Sequence, residues 1–88
     1  MHHLLIYEYV DGMAERRAPY RQAHLDQVRE QQRAGHLSLA GALGDPPTGA
    51  AFLFEGVGVP LIEAFVAADP YVGAGLVPSY RIEAWNLV

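Results

Sequence analysis

The spacing of apolar residues runs through this chain in one order: strand-like, helix-like, strand-like twice, helix-like, strand-like. Few folds accept that order. Residues 3–10, His-Leu-Leu-Ile-Tyr-Glu-Tyr-Val, are aromatic and aliphatic enough for a strand. Leu4, Ile6, Glu8 and Val10 would share one face, and Leu5, Tyr7 and Tyr9 the other. Asp11-Gly12 marks a turn. Residues 18–34 read as a helix, with Pro19 in its first turn and Gly35 as a left-handed stop. Its inner stripe is Tyr20, Ala23/His24, Leu25, Val28 and Gln31/Gln32, with Arg21, Asp26, Arg29, Glu30 and Arg33 mostly off it. So few large aliphatics predict a half-exposed helix.

Residues 36–43 alternate again, Leu37, Leu39 and Leu43 against His36, Ser38, Ala40 and Ala42. Gly41 inside this strand signals a bulge or a close approach. Gly44-Asp45-Pro46-Pro47-Thr48-Gly49 is a turn cluster, and residues 50–55 complete a hairpin. The second helix, residues 59–68, buries Leu61, Ile62, Phe65 and Val66 and stops at Asp69-Pro70. A Gly-rich loop or single turn follows over 72–76. A last strand over 77–87 sets Ser79, Arg81, Glu83 and Trp85 against Tyr80, Ile82 and Ala84.

The order β-α-β-β-α-β defines an α+β, ferredoxin-like chain. Right-handed crossovers place both helices on one face of a four-stranded antiparallel sheet. Leu5, Tyr7, Tyr9, Arg81, Glu83 and Trp85 are expected on the uncovered face, too apolar to remain in water. A homodimer through that open face solves the problem. At 88 residues the chain, 1–88, is a single domain. With no cysteine it lacks any disulfide or thiolate ligand, which adds to the case for self-association.

Charge narrows the partners. Six arginines, no lysine and ten acidic residues give −4, against nucleic acid. The N-terminus has no basic region of a leader, and no apolar run approaches ~20 residues, so neither export nor a membrane is expected and the cytoplasm is the default. Arginine without lysine, beside abundant Ala, Gly and Val, points to a GC-rich bacterial coding sequence. Four histidines without His-x-x-x-His spacing predict no metal site.

Several segments together resemble a known family: Leu4-Leu5-Ile6-Tyr7, Ala23-His24-Leu25, Gly35-His36-Leu37, Ala40-Gly41-Ala42-Leu43, and Ala67-Ala68-Asp69-Pro70-Tyr71 with Val72, Gly73, Ala74 and Gly75 behind it. In this order and spacing they are similar to the YCII-related (YciI-like) family of the dimeric αβ-barrel superfamily, over nearly the whole chain. The resemblance implies a dimer and an active site holding a His and an Asp, here His24 and Asp69. It also implies acid–base chemistry without a cofactor, an elimination or isomerisation on a small cyclic compound. The loop 44–49 and the turn at Gly56 are short for the family, which implies a reduced pocket wall.

The residues support the same pair. His24 lies one helical turn from Tyr20 and Val28, and imidazole is the side chain best suited to trade protons near neutral pH. Asp69 before Pro70 is also an ordinary helix cap, and one carboxylate can both cap and hold an imidazole. Tyr7, Tyr9, Tyr71, Tyr80 and Trp85 are candidate walls of an aromatic pocket. Arg81, on the Trp85 face, is a candidate to hold a substrate carboxylate or enolate. The competing reading is a non-catalytic dimeric module that binds a small ligand or a protein, with Asp69 as a cap and His24 as a bystander.

Overall fold

Strand pairing decides which side of each strand meets the helices. The computed structural model describes residues 1–88. Its strands β1 (His2–Glu8), β2 (Leu37–Leu43), β3 (Gly49–Glu55) and β4 (Ser79–Trp85) form one sheet in the order β2-β3-β1-β4. Every neighbouring pair is antiparallel. Each crossover skips one strand, so β1 and β3 lie at the centre as in other ferredoxin-like sheets. No helix is long and apolar enough to cross a membrane.

Helix α1 (Met13–Arg16) is a single turn that follows Gly12, whose φ is 70°. It has no counterpart among the elements that the apolar spacing predicts. Met13 anchors it, 1% exposed, in a small cluster with Tyr71 and Leu76. A 3-10 turn, Ala18–Tyr20, carries Pro19 and leads into α2 (Arg21–Arg33), so the long helix starts three residues later than its expected Ala18 start. Helix α3 (Val59–Ala68) matches its expected limits, and α4 (Pro70–Gly73) is the single turn after it. Gln27 of α2 donates through Nε2 to the Phe65 carbonyl at 2.8 Å, tying the two long helices together.

The main core joins Leu5, Tyr7, Phe52 and Phe54 from the sheet to Val28, Ile62, Phe65 and Val66 from the helices. Phe65 meets Phe52 and Phe54 edge-on, with ring centroids 5.5 and 5.4 Å apart. This overturns the expected open face. Leu5 and Tyr7 are 0% and 1% exposed, beneath the helices. In the β1–β4 register Leu4 stands opposite Glu83, Ile6 opposite Arg81 and His2 opposite Trp85. Leu4 and Ile6 therefore accompany Arg81, Glu83 and Trp85 on the open side. Both faces of β1 are apolar, so its alternation could not choose; Phe52 and Phe54 on β3 chose.

The bulge also moves. It falls between Leu37 and Leu39, at Ser38, while Gly41 pairs regularly with Ala51. The extra residue turns Leu37 inward opposite Phe54 and leaves Leu39 and Leu43 on the open face. The close backbone approach belongs to Gly49, where a Cβ would overlap the Tyr7 carbonyl oxygen. Gly49→Ala should therefore lower stability by ~1–3 kcal/mol, as overpacking does. Gly41→Ala, with nothing within 4 Å of the added carbon, should be neutral or stabilising by up to ~1 kcal/mol. Thermal melting of the two variants checks the contrast, and equal melting points would contradict it.

Candidate active site

Asp69 occupies the joint between α3 and α4. Pro70 disfavours helix in the residue before it, and Asp69 accordingly turns extended, φ −69° and ψ 122°. That turn directs its carboxylate inward, where the side chain is 0% exposed. Oδ1 accepts the Tyr71 amide at 2.9 Å, capping α4. The same oxygen accepts His24 Nδ1 from α2 at 2.9 Å, and Oδ2 accepts the Tyr7 hydroxyl from β1 at 2.8 Å. Three donors converge on one buried carboxylate, which is what its burial requires.

This arrangement fixes the imidazole. A carboxylate oxygen only accepts, so Nδ1 carries the proton it donates. Nε2 makes no hydrogen bond within the chain and is not sealed from solvent. Tyr71 lies flat on the imidazole, centroids 4.0 Å apart and planes 12° from parallel. Phe52 meets the ring edge-on at 6.2 Å. His24 is consequently buried, 6% exposed, rather than half-exposed as its thin helical stripe predicts.

Beside His24 is a cavity of about 250 Å³ between α2 and the β2–β3 hairpin. Leu25 and Val28 form its helix side, and Ala40, Ala42 and Ala50 its sheet side. Tyr9, Phe52, Tyr71, Arg17 and Arg21 also line it, with the backbone of Gly41. The cavity exists because alanine stands here, whereas Phe54 and Leu37 fill the same sheet face further along. None of its wall comes from 44–49 or from Gly56.

The tyrosines around the carboxylate hold their protons firmly. Burial pushes the Tyr7 phenol well above its ordinary value, and the Asp69 charge and hydrogen bond add to the rise. Tyr9 is raised by burial, then by Tyr71 and Asp69, with Arg17 opposing. Tyr71 is raised by burial, while Arg17 and Arg21 pull it down. At neutral pH Tyr7 is a hydrogen-bond donor to Asp69 and not a base.

The structure brings His24, Asp69, Tyr7 and Tyr71 together. Tyr7 stands behind Asp69 and does not line the cavity. Arg81 and Trp85 are not brought to the cavity at all. Both are exposed on the open face, with Arg81 Nε 3.6 Å from Glu83. Tyr80 donates to Glu63 at 2.6 Å, away from the cavity. No three His, Asp or Glu side chains converge as a metal site would need. Arg17 and Arg21 escaped the sequence reading. Their signal was the spacing Arg17, Arg21, His24, by four and then three, although Arg17 precedes the 3-10 turn and only Arg21 and His24 share α2.

The YCII-related domain model matches residues 1–86. Among solved structures, 5-chloro-2-hydroxyhydroquinone dehydrochlorinase from Burkholderia phenoliruptrix AC1100, in complex with 2,5-dihydroxybenzoquinone, superposes with a TM-score of 0.82 at 22% identity, covering 98% of this chain and 94% of that one. The structured domain of Caenorhabditis elegans BMY-1 superposes with a TM-score of 0.50 at 19% identity, covering 100% of this chain and 99% of that one. At these identities the likeness is one of fold. No curated protein matches the chain.

The tyrosine environment sets a pH dependence. With no lysine or cysteine in the chain, tyrosine is the side chain that titrates between about pH 9 and 12. Tyr7, Tyr9 and Tyr71 lose their protons above the ordinary phenol value when folded and at that value when unfolded. Above about pH 10 the unfolded state thus binds fewer protons than the folded one, and stability falls as pH rises. The melting temperature should hold to about pH 9.5 and then drop, and Tyr7→Phe should make the drop shallower. A melting temperature unchanged to about pH 11 would contradict these shifts.

Proposed function

We propose that this chain, which belongs to the YCII-related family, is a small cofactor-independent enzyme that moves a proton on a small cyclic substrate. His24 is its acid–base residue and Asp69 the group that orients it. One observation carries the reading: an imidazole anchored through Nδ1 on a buried carboxylate keeps Nε2 unpartnered beside a cavity. That is the arrangement a proton shuttle needs, a fixed ring with one lone pair left for substrate.

The chemistry follows from that lone pair. Nε2 takes a proton from a ring C–H or O–H, and the bonding electrons remain on the substrate. Asp69 stabilises the imidazolium that forms. In an elimination the electron pair forms a ring double bond as the leaving group departs. In an isomerisation Nε2 returns the proton to another ring atom. A single shuttle contributes about 10²–10⁴ in rate, which suits an activated ring. The dehydrochlorinase with the same fold, solved with a dihydroxybenzoquinone, supports elimination from a hydroxylated ring.

The second part of the proposal is a homodimer. The open face carries Leu4, Ile6 and Leu53, half-buried, and Leu39 and Leu43, exposed. A symmetric partner would cover them, as small domains often require. Sedimentation should give about twice the 9.6 kDa chain mass, and Leu39→Glu should shift it toward the monomer. A wild-type monomer at micromolar concentration would remove the dimer from the proposal.

The chemistry has its own test. Chloride release from 5-chloro-2-hydroxyhydroquinone, the compound named for the dehydrochlorinase, is the first assay. Exchange of ring hydrogens with deuterated solvent reads proton abstraction on other hydroxylated rings. His24→Gln should reduce whichever rate is found by about 10²–10⁴. Asp69→Asn preserves the shape and still accepts from Nδ1 and the Tyr71 amide, so it should fold but turn over at least about tenfold more slowly. Full turnover by folded His24→Gln would refute the reading. So would a wild-type protein that binds the rings but never exchanges their protons; it would be a binding module.

A further inference from the structure

We propose that the cavity selects a single flat ring carrying an ionised oxygen, held by Arg17 and Arg21 with the ring edge at His24 Nε2. This names the substrate class of the site proposed above and rests on that reading.

Shape is the first argument. Ala40, Ala42 and Ala50 present a low, flat floor, and Leu25 and Val28 face it from α2. An apolar cavity of about 150 Å³ accommodates benzene, so the 250 Å³ here admits one substituted ring.

Charge is the second. The chain as a whole is −4, yet two of its six cationic side chains line this cavity. Neither has a carboxylate within 4.0 Å; of the six arginines Arg81 alone has one. The acid nearest in function, Asp69, is sealed from solvent, with both oxygens engaged by His24, Tyr7 and the Tyr71 amide. It therefore offers the guanidinium groups no exposed partner. Both arginines also oppose the burial-driven rise at Tyr71, Arg21 through a hydrogen bond as well as its charge, while Asp69 adds to it more weakly, so the arginine charge reaches the cavity wall.

Placement is the third. Arg17, Arg21 and His24 follow one another along the same wall. An oxyanion drawn to the guanidinium pair lays the rest of its ring over the alanines, with an edge toward Nε2. When Nε2 removes a proton, negative charge grows on the ring, and the same guanidinium groups stabilise it in place. A neutral ring leaves them unused, so selection and rate draw on the same two residues.

Carboxylate and phenolate share this chemistry, and equilibrium binding with three probes separates them: benzoate, 4-nitrophenolate at pH 8.5, and neutral benzamide. Calorimetry on the wild-type protein should show at least one anion binding about tenfold or more tighter than benzamide, the worth of a charge-assisted hydrogen bond. Arg17→Gln and Arg21→Gln should each weaken that anion about tenfold while changing benzamide less than about twofold. Arg29→Gln, the same charge change at an exposed α2 position outside the cavity, should leave all three probes unchanged. Equal affinity for anions and benzamide overturns the proposal, as does an Arg17 or Arg21 variant no weaker than Arg29→Gln. Absence of anion binding at about 10 mM, an affinity that ligands of this size reach even at low efficiency, also overturns it. The catalytic reading fails on a different measurement, unimpaired turnover by His24→Gln, so the two failures are distinguishable.

Discussion

A carboxylate with no exposed surface organises this molecule. Asp69 ends one helix, caps the next turn, and holds one side chain from β1 and another from α2. Removing an acid from water is costly unless its lone pairs are met. Here Tyr7, His24 and the Tyr71 amide meet them. The bonds that make the burial tolerable are the bonds that set the imidazole. Tyr71 contributes twice, its amide to the carboxylate and its ring to the face of His24. The cap and the orientation of the histidine are thus one set of interactions.

The sheet divides its labour along its length. Beneath α3 it presents Phe52 and Phe54, which pack edge-on against Phe65 and leave little space. Beside the start of α2 it presents Ala40, Ala42 and Ala50, and space remains. Native interiors fill such gaps, so a void at one end of an otherwise packed face is a feature of the sequence and not of the fold. His24 sits at the boundary, edge-on to Phe52, which packs against Phe65 and also lines the cavity.

Much of this was legible before any coordinates. The element order follows from sharp changes of period, and the limits of α3 from Pro60 early in the helix and Asp69-Pro70 at its end. That His24 and Asp69 fall within hydrogen-bond reach depends on both long helices covering one face, which the order implies. The facing of β1 was not legible, because Leu4 and Ile6 are as apolar as Leu5 and Tyr7. Nor was the bulge: Ser38 carries no glycine-like signal, and one residue there reverses the side on which Leu37 lies. Arg17 and Arg21 were hidden by a convention. Arginine on a helix reads as solvated, and only a void beside it changes that reading.

An acidic protein with a cationic cavity wall raises the question of which charge an approaching anion feels. At physiological ionic strength the screening length is about 8 Å. Most of the ten acidic residues lie on exposed surface dispersed over a body whose longest extent is 36 Å. Repulsion from those farther than a screening length from the cavity is largely damped. Arg17 is half-buried and Arg21 exposed, and both act at contact range beside walls of leucine, valine and phenylalanine. The local pair therefore prevails over the net charge, and the overall value of −4 says little about what the cavity prefers. Asp69 is the nearer acid, and its charge reaches the cavity wall at Tyr9 and Tyr71. Its charge is spread over three hydrogen bonds and lies behind the ring of His24, so the side it turns to the cavity is the imidazole.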